Sequence, residues 1–191
     1  MSLRVLVIPE DPTDNGYILK PLVQALMAAA GRPRATVTVL SSPRLNGYDH
    51  ALRAIKDELP GRYAHYDLWL FMPDADRATP AAMTALEAQM AARGICLLAC
   101  PAHPEVEIYA CFAHRADLGL SWDEARAHHR LKEQVFEPLL ARVGDARRPG
   151  GGRDRLIAAA LGNWQALLQF CPELAELLAR LRAAVQPLPE N

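Results

Sequence analysis

The sequence has little of several things, and each shortage excludes a class of protein. It carries four cysteines in 191 residues, too few for the disulfide framework of a small secreted domain, so these thiols are expected to be reduced and mostly buried. Formal net charge is only −1. No excess of either sign marks a nucleic-acid partner, and any such binding would use a local patch. Long apolar runs are also missing. Arg4 and Glu10 bracket the N-terminal apolar stretch, which is too short for a signal peptide, and nothing approaches the ~20 residues of a membrane helix. These shortages together predict a soluble, cytoplasmic protein without a membrane partner.

What is abundant is apolar residues, 51% of the chain, ample for a packed core. Four short β-rich runs, Leu3–Ile8, Ala35–Leu40, Asp67–Met72 and Ile95–Cys100, alternate with amphipathic stretches. The predicted helices cover Leu19–Ala30 (with Pro21 in the first turn), Asp49–Leu59, and a segment opened by Thr79-Pro80 and closed at Gly94. This βαβαβαβ order predicts a Rossmann-like parallel sheet of about four strands flanked by helices. Beyond about residue 116 the pattern is helical. A capping box at Ser121–Glu124 opens a helix running to the neighbourhood of Pro138, a second helix covers Asp154–Phe170, and a third starts at Pro172. Residues 1–115 thus form the α/β domain, and 116–191 a helical extension packed on it.

Three carboxylates stand at informative places. Glu10 follows the first strand, and Asp74 and Asp76 follow the third. Ligands of open α/β sheets bind at strand carboxyl ends, where neighbouring crossovers leave for opposite faces. If strands one and three are neighbours, the three acids converge. Hard oxygen ligands, few in number, suit Mg²⁺, which keeps several of its waters and takes phosphate oxygens directly. The competing view makes them solvated loop residues or caps of the following helix.

The stretches IPEDPTDNGYILKPLVQAL, DLWLFMPDADR and PEVEIYACFAH, with LKEQVFEPLL, PGGGRDRL and FCPEL further on, resemble the Toprim family, in particular small stand-alone bacterial Toprim-like proteins related to overcoming-lysogenization (OLD-type) nucleases. The resemblance implies the Toprim fold and Mg²⁺- or Mn²⁺-dependent phosphodiester chemistry on nucleic acid. It implies a nuclease or nuclease subunit of a bacterial defence or repair system, with a partner ATPase or other subunit as companion. It assigns acid–base chemistry or metal binding to Glu10 and metal binding to Asp74 and Asp76. Glu107, two residues before Tyr109, matches an acid preceding an aromatic in the smaller relatives and joins the catalytic set. Asp11 replaces the glycine usual after the first glutamate, which alters how a phosphate backbone would approach. The chain is too short for the tyrosine-bearing domains of a topoisomerase or the added modules of a primase.

Basic residues near these motifs are candidates for gripping phosphate: Arg77 within PDADR, Lys132 on a segment with Arg126, His128, His129 and Arg130, and Arg153 and Arg155 beside the PGGGR glycines. The PGGGR residues are equally readable as a solvated interhelical loop, and the Lys132 segment reads more readily as a solvated helix face. Cys100-x-x-His103 and Cys111-x-x-His114 have zinc-like spacing, but their apolar surroundings argue against it. Trp69, Trp122 and Trp164 sit in apolar patterns and read as core. Two further readings stay open. One is a non-catalytic Toprim-shaped subunit that binds nucleic acid or a partner. The other is a degenerate receiver-like signalling domain, against which Met72 occupies the position of the phosphoacceptor aspartate.

Overall fold

The computed structural model describes residues 2–185. Its sheet has four parallel strands, β1 (Arg4–Pro9), β2 (Thr36–Val39), β3 (Leu68–Met72) and β4 (Leu97–Ala99), in the order β2-β1-β3-β4. The α/β class and parallel pairing expected from the alternating pattern are what the chain adopts. The register runs Val5↔Leu68 to Pro9↔Met72 between β1 and β3, so these strands are neighbours along their whole shared length. Both sheet faces are covered. Val5, Val7, Leu68, Leu70 and Met72 point into one core, and Leu6, Ile8, Trp69 and Phe71 into the other. That two-sided burial explains why the strands read as continuous apolar runs rather than alternating ones.

Helix α1 (Pro12–Ala29) crosses from β1 to β2 on the first face. It starts seven residues earlier than the pattern predicts. The Asp11 side chain accepts from the Thr13 N–H at 2.9 Å, and Pro12 fills the first helical position, so cap chemistry starts the helix there. Pro21 consequently sits inside the helix rather than in its first turn. It costs a backbone hydrogen bond, and the buried Ile18, Leu19, Leu22, Val23, Leu26 and Met27 hold the helix across it.

The β2-to-β3 crossover is α2 (Tyr48–Arg53), a π-helical turn (Ala54–Glu58) and α3 (Leu59–Tyr63); β3 leads to β4 through α4 (Pro80–Ala91). Leu45, Ala51, Ile55, Leu59, Met83, Leu86 and Met90 from this region pack on the second face. Thr79 caps α4, accepting from the Ala82 N–H at 3.3 Å. Thr79→Ala is expected to cost about 1 kcal/mol, read as a shift of the urea midpoint without a change of slope.

The C-terminal segment is more broken than its sequence predicts. It comprises α5 (Glu107–Cys111), α6 (Trp122–Arg126), α7 (Glu137–Val143), α8 (Arg153–Leu161), α9 (Trp164–Phe170) and α10 (Pro172–Val185). The capping box at Ser121 and Glu124 forms as expected. The helix it opens, however, ends at Arg126 instead of reaching Pro138, and a turn leads into a π-helical segment, Lys132–Phe136. Pro138 lies in the first turn of α7, where it is tolerated. The predicted Asp154–Phe170 helix is likewise two helices, because Gly162 closes the first. Three consecutive glycines, Gly150, Gly151 and Gly152, precede α8 with φ of 68°, 64° and 91°, a left-handed run that side chains with a Cβ disfavour. Leu156, Ile157 and Ala160 of α8, and Leu174, Leu177, Leu178 and Leu181 of α10, share one core with α1 and the first sheet face.

No helix among the described residues is long and apolar enough to cross a membrane. Trp69 is wholly buried, while Trp122 and Trp164 pack partly buried on the first core.

Candidate acidic site

The β1–β3 seam is where the crossovers part. The chain leaves β1 toward β2 over one face through α1, and leaves β3 toward β4 over the other through α4. Glu10 emerges from β1 at this seam. Beyond β3 the pairing continues by one bridge, Asp74↔Ala102. The Ala102 N–H donates to Pro73 at 2.8 Å, and the Ala75 N–H to the Ala102 and Pro104 carbonyls at 3.0 Å each. The backbone around Asp74 is therefore fixed by the sheet and by the segment after β4. The Asp74 side chain is fixed too: its Oδ1 accepts from the Val106 N–H at 3.0 Å.

Glu10, Asp74 and Asp76 line a cleft of about 440 Å³ together with His103, Glu105, Arg126, His128 and His129. The three acids thus meet in one concavity. Burial, then the neighbouring charges of Asp74 and Asp76, raise the Glu10 pKa to about 7, against the pull of the Asp74 N–H and Arg77. Burial also raises Asp74 to about 6; Glu105 and Asp76 add to this, while the Val106 N–H and Lys132 oppose it. Glu10 Oε1 is buried and has no hydrogen-bond partner.

Glu107 lies behind the cleft rather than in it. It sits in the first turn of α5, 1% exposed, with Oε1 3.8 Å from Lys132 Nζ. Burial first and Asp74 second raise its pKa to about 7. Lys132 is thereby the counter-ion of a buried acid, and its backbone N–H donates to Glu105 Oε2 at 2.6 Å. Arg77 and Arg153, also read as phosphate grips, are occupied as well. Arg77 forks onto Asp49, both contacts 2.9 Å. Arg153 is 8% exposed, pairs with Asp14 at 3.2 Å, donates to the Gly150 carbonyl at 3.0 Å, and lies over Phe136. Arg155 is exposed on α8 and does not line the cleft.

Sequence reasoning missed His103 and Glu105 as site residues. They follow β4, and applying the strand-end rule to that strand would have found them. His128 and His129 arrive through the turn after α6, where His128 Nδ1 accepts from the Arg130 N–H at 3.2 Å; no periodicity signals such a turn. Arg126 lines the cleft but is clamped to Glu173 at 2.8 and 3.0 Å.

Among the described residues, no three His, Cys, Asp or Glu side chains form a ready ligand group. The carboxylates nevertheless fit a hard cation that takes one or two of them directly and reaches the rest through its own waters, the habit of Mg²⁺. Glu10, Asp74 and Asp76 are the residues able to do this.

Fold and site together define a parallel α/β protein with an acidic cleft at its strand-order switch point. No family model, characterised protein or solved structure matches the chain.

Proposed function

We propose that the protein is a Toprim-like, Mg²⁺- or Mn²⁺-dependent enzyme acting on phosphodiester bonds of nucleic acid, a nuclease or nuclease subunit in a bacterial defence or repair system. The observation that carries this reading is Glu10 Oε1, buried without a hydrogen-bond donor beside two further carboxylates. A half-buried carboxylate with one such oxygen favours a proton or a cation, and the switch point is where α/β sheets bind ligands.

The cation, when bound, neutralises charge on the phosphate and orients a water. Asp74, its Oδ1 already held by the Val106 N–H, offers its other oxygen in a fixed direction. Asp76, exposed at the cleft, joins it as the second holder. Glu10, shifted upward by burial and the neighbouring aspartates, is the group beside the two holders that accepts a proton from the attacking water. Glu107 stands behind the cleft with Lys132 as its counter-ion.

Cleavage of labelled DNA and RNA in Mg²⁺ or Mn²⁺ is the test. Asp74→Ala and Asp76→Ala are each expected to lower the rate at least tenfold while leaving the circular-dichroism spectrum unchanged. Cutting that persists in both variants would sink the assignment. A second reading, a Toprim-shaped subunit that binds nucleic acid or a partner ATPase without turnover, is favoured by the lack of three converging ligands among the described residues. Metal binding without cleavage would select it.

A further inference from the structure

If a phosphate is to approach so acidic an edge, a cation there must receive it; Arg155 lies outside the cleft, and the other expected cations are committed elsewhere. Arg77 holds Asp49, Arg126 holds Glu173, Lys132 faces Glu107, and Arg153 holds Asp14. One arginine at the same edge differs. Arg44, in the loop after β2, is exposed and has no carboxylate partner among the described residues. Its single side-chain hydrogen bond goes to a neutral hydroxyl, Thr13 Oγ1, at 3.2 Å.

Arg44 lines a hollow of about 350 Å³ with Asp11, Leu45, Asn46 and Gly47. The hollow is held open by the fold. Leu45 is buried in the second core, and the Asn46 N–H donates to His50 Nδ1 at 3.2 Å. Its position is set by the chain itself. Glu10 lines the acidic cleft, and the next residue, Asp11, lines the hollow. Consecutive Cα atoms lie about 3.8 Å apart, so the two concavities adjoin across one peptide bond.

We propose that this hollow is an anion subsite, in which Arg44, with the Asn46 side-chain amide beside it, receives a phosphate next to the one held at the acids. Resting on the phosphodiester reading above, it makes the substrate one with successive phosphates, a single strand or a nucleoside polyphosphate. The planar guanidinium suits a phosphate because its N–H groups match two oxygens at once. Asp11 opposes the anion, although its Oδ1 is engaged by the Thr13 N–H, and this gives the proposal a second, oppositely signed handle.

The test uses the full chain without divalent metal, titrated with inorganic phosphate and followed by amide NMR shifts. Shifts centred on Arg44, Asn46 and Gly47 are expected. Affinity should fall at least fivefold in Arg44→Ala and rise in Asp11→Asn, which keeps a capping oxygen and loses the charge. Arg147→Ala, a control on an exposed arginine outside the hollow, should leave it unchanged. Shifts centred elsewhere, or equal affinity in Arg44→Ala, overturn the subsite.

A short single-stranded oligonucleotide and a nucleoside triphosphate, each in Ca²⁺ and read by anisotropy and calorimetry, separate the two sources. Whichever binds should lose at least fivefold in Arg44→Ala. For the strand, the slope of log affinity on log salt should shrink by about 1. Arg44-dependent phosphate binding without strand binding supports the subsite while removing the nuclease reading. Strand binding that ignores Arg44 overturns the subsite and leaves that reading standing.

Discussion

Arg153→Ala is expected to destabilise the protein by about 2–4 kcal/mol, toward the lower part of the range for breaking a buried ion pair. The guanidinium has three attachments: Asp14 at 3.2 Å, the Gly150 carbonyl at 3.0 Å, and the face of Phe136 with its centroid 5.4 Å away. Asp14 stands in the first turn of α1, Gly150 in the left-handed glycine run, and Phe136 in the π-helical segment before α7. One side chain therefore fastens its own glycine loop to the start of α1 and to the segment before α7. Truncation leaves a cavity against Phe136 and two polar groups without a donor. Asp14 keeps about a third of its side chain in water, and solvent there recovers part of the loss, which is why the lower part of the range applies. Arg153→Lys keeps the charge but neither the fork nor the flat stacking face, and should lose roughly half as much. Urea unfolding measures both. A loss under about 1 kcal/mol for the alanine variant would mean that the three attachments contribute little.

Arg153 also shows where sequence reading reached its limit. Its neighbourhood, RRPGGGR, suggests a glycine loop that grips phosphate. In the fold the same residues serve packing. An added Cβ at Gly150 would stand 2.5 Å from the Tyr17 ring, and one at Gly152 2.6 Å from the Asp145 nitrogen. Local composition cannot distinguish a loop that approaches a ligand from one that approaches another helix, because both need small residues. Lys132 and Arg77 behave similarly: their partners, Glu107 and Asp49, lie 25 and 28 residues away, beyond any local pattern.

The sheet was legible because burial on both faces leaves a direct mark, a short apolar run, in the sequence. The meeting of Glu10, Asp74 and Asp76 followed from strand ends and one topological condition, that β1 and β3 pair, which the register satisfies. The helical boundaries were less legible. Asp11 starting α1, and Gly162 dividing α8 from α9, are decided by single residues against an otherwise continuous apolar period. His128 and His129 reach the cleft through the turn after α6, which no apolar period marks.

Without divalent metal, stability is expected to fall as pH rises from about 4.5 through 7. Glu10 and Glu107 have folded-state pKa values of about 7 against ordinary values of 4.5, and Asp74 about 6 against 3.8. All three shifts are upward, so between these limits the folded protein holds protons that the unfolded chain has released. By linkage, stability then decreases with pH. The contribution is complete below the unfolded pKa values and gone once pH has passed the folded ones. A single group moved from 4.5 to about 7 carries at most about 3–4 kcal/mol, and less where water reaches it. The acids interact, so the sum for three is less than three times that. Asp67 and Glu124 are shifted downward by their hydrogen bonds and slope the other way, but both are exposed and screened. Glu107→Gln keeps the shape and removes one buried acid; it should flatten the profile and raise the apparent melting temperature at pH 8. Mg²⁺ or Mn²⁺ competes with protons for Glu10 and Asp74, binding once these are ionised. At pH 8, a concentration one hundred times the dissociation constant should return about 2.7 kcal/mol, while at pH 5 the same addition should do little. Thermal melts at both pH values, with and without the cation, carry the comparison. A profile flat between pH 5 and 8, or a cation effect of equal size at both, would show that the acids at the β1–β3 seam neither hold protons nor exchange them for metal.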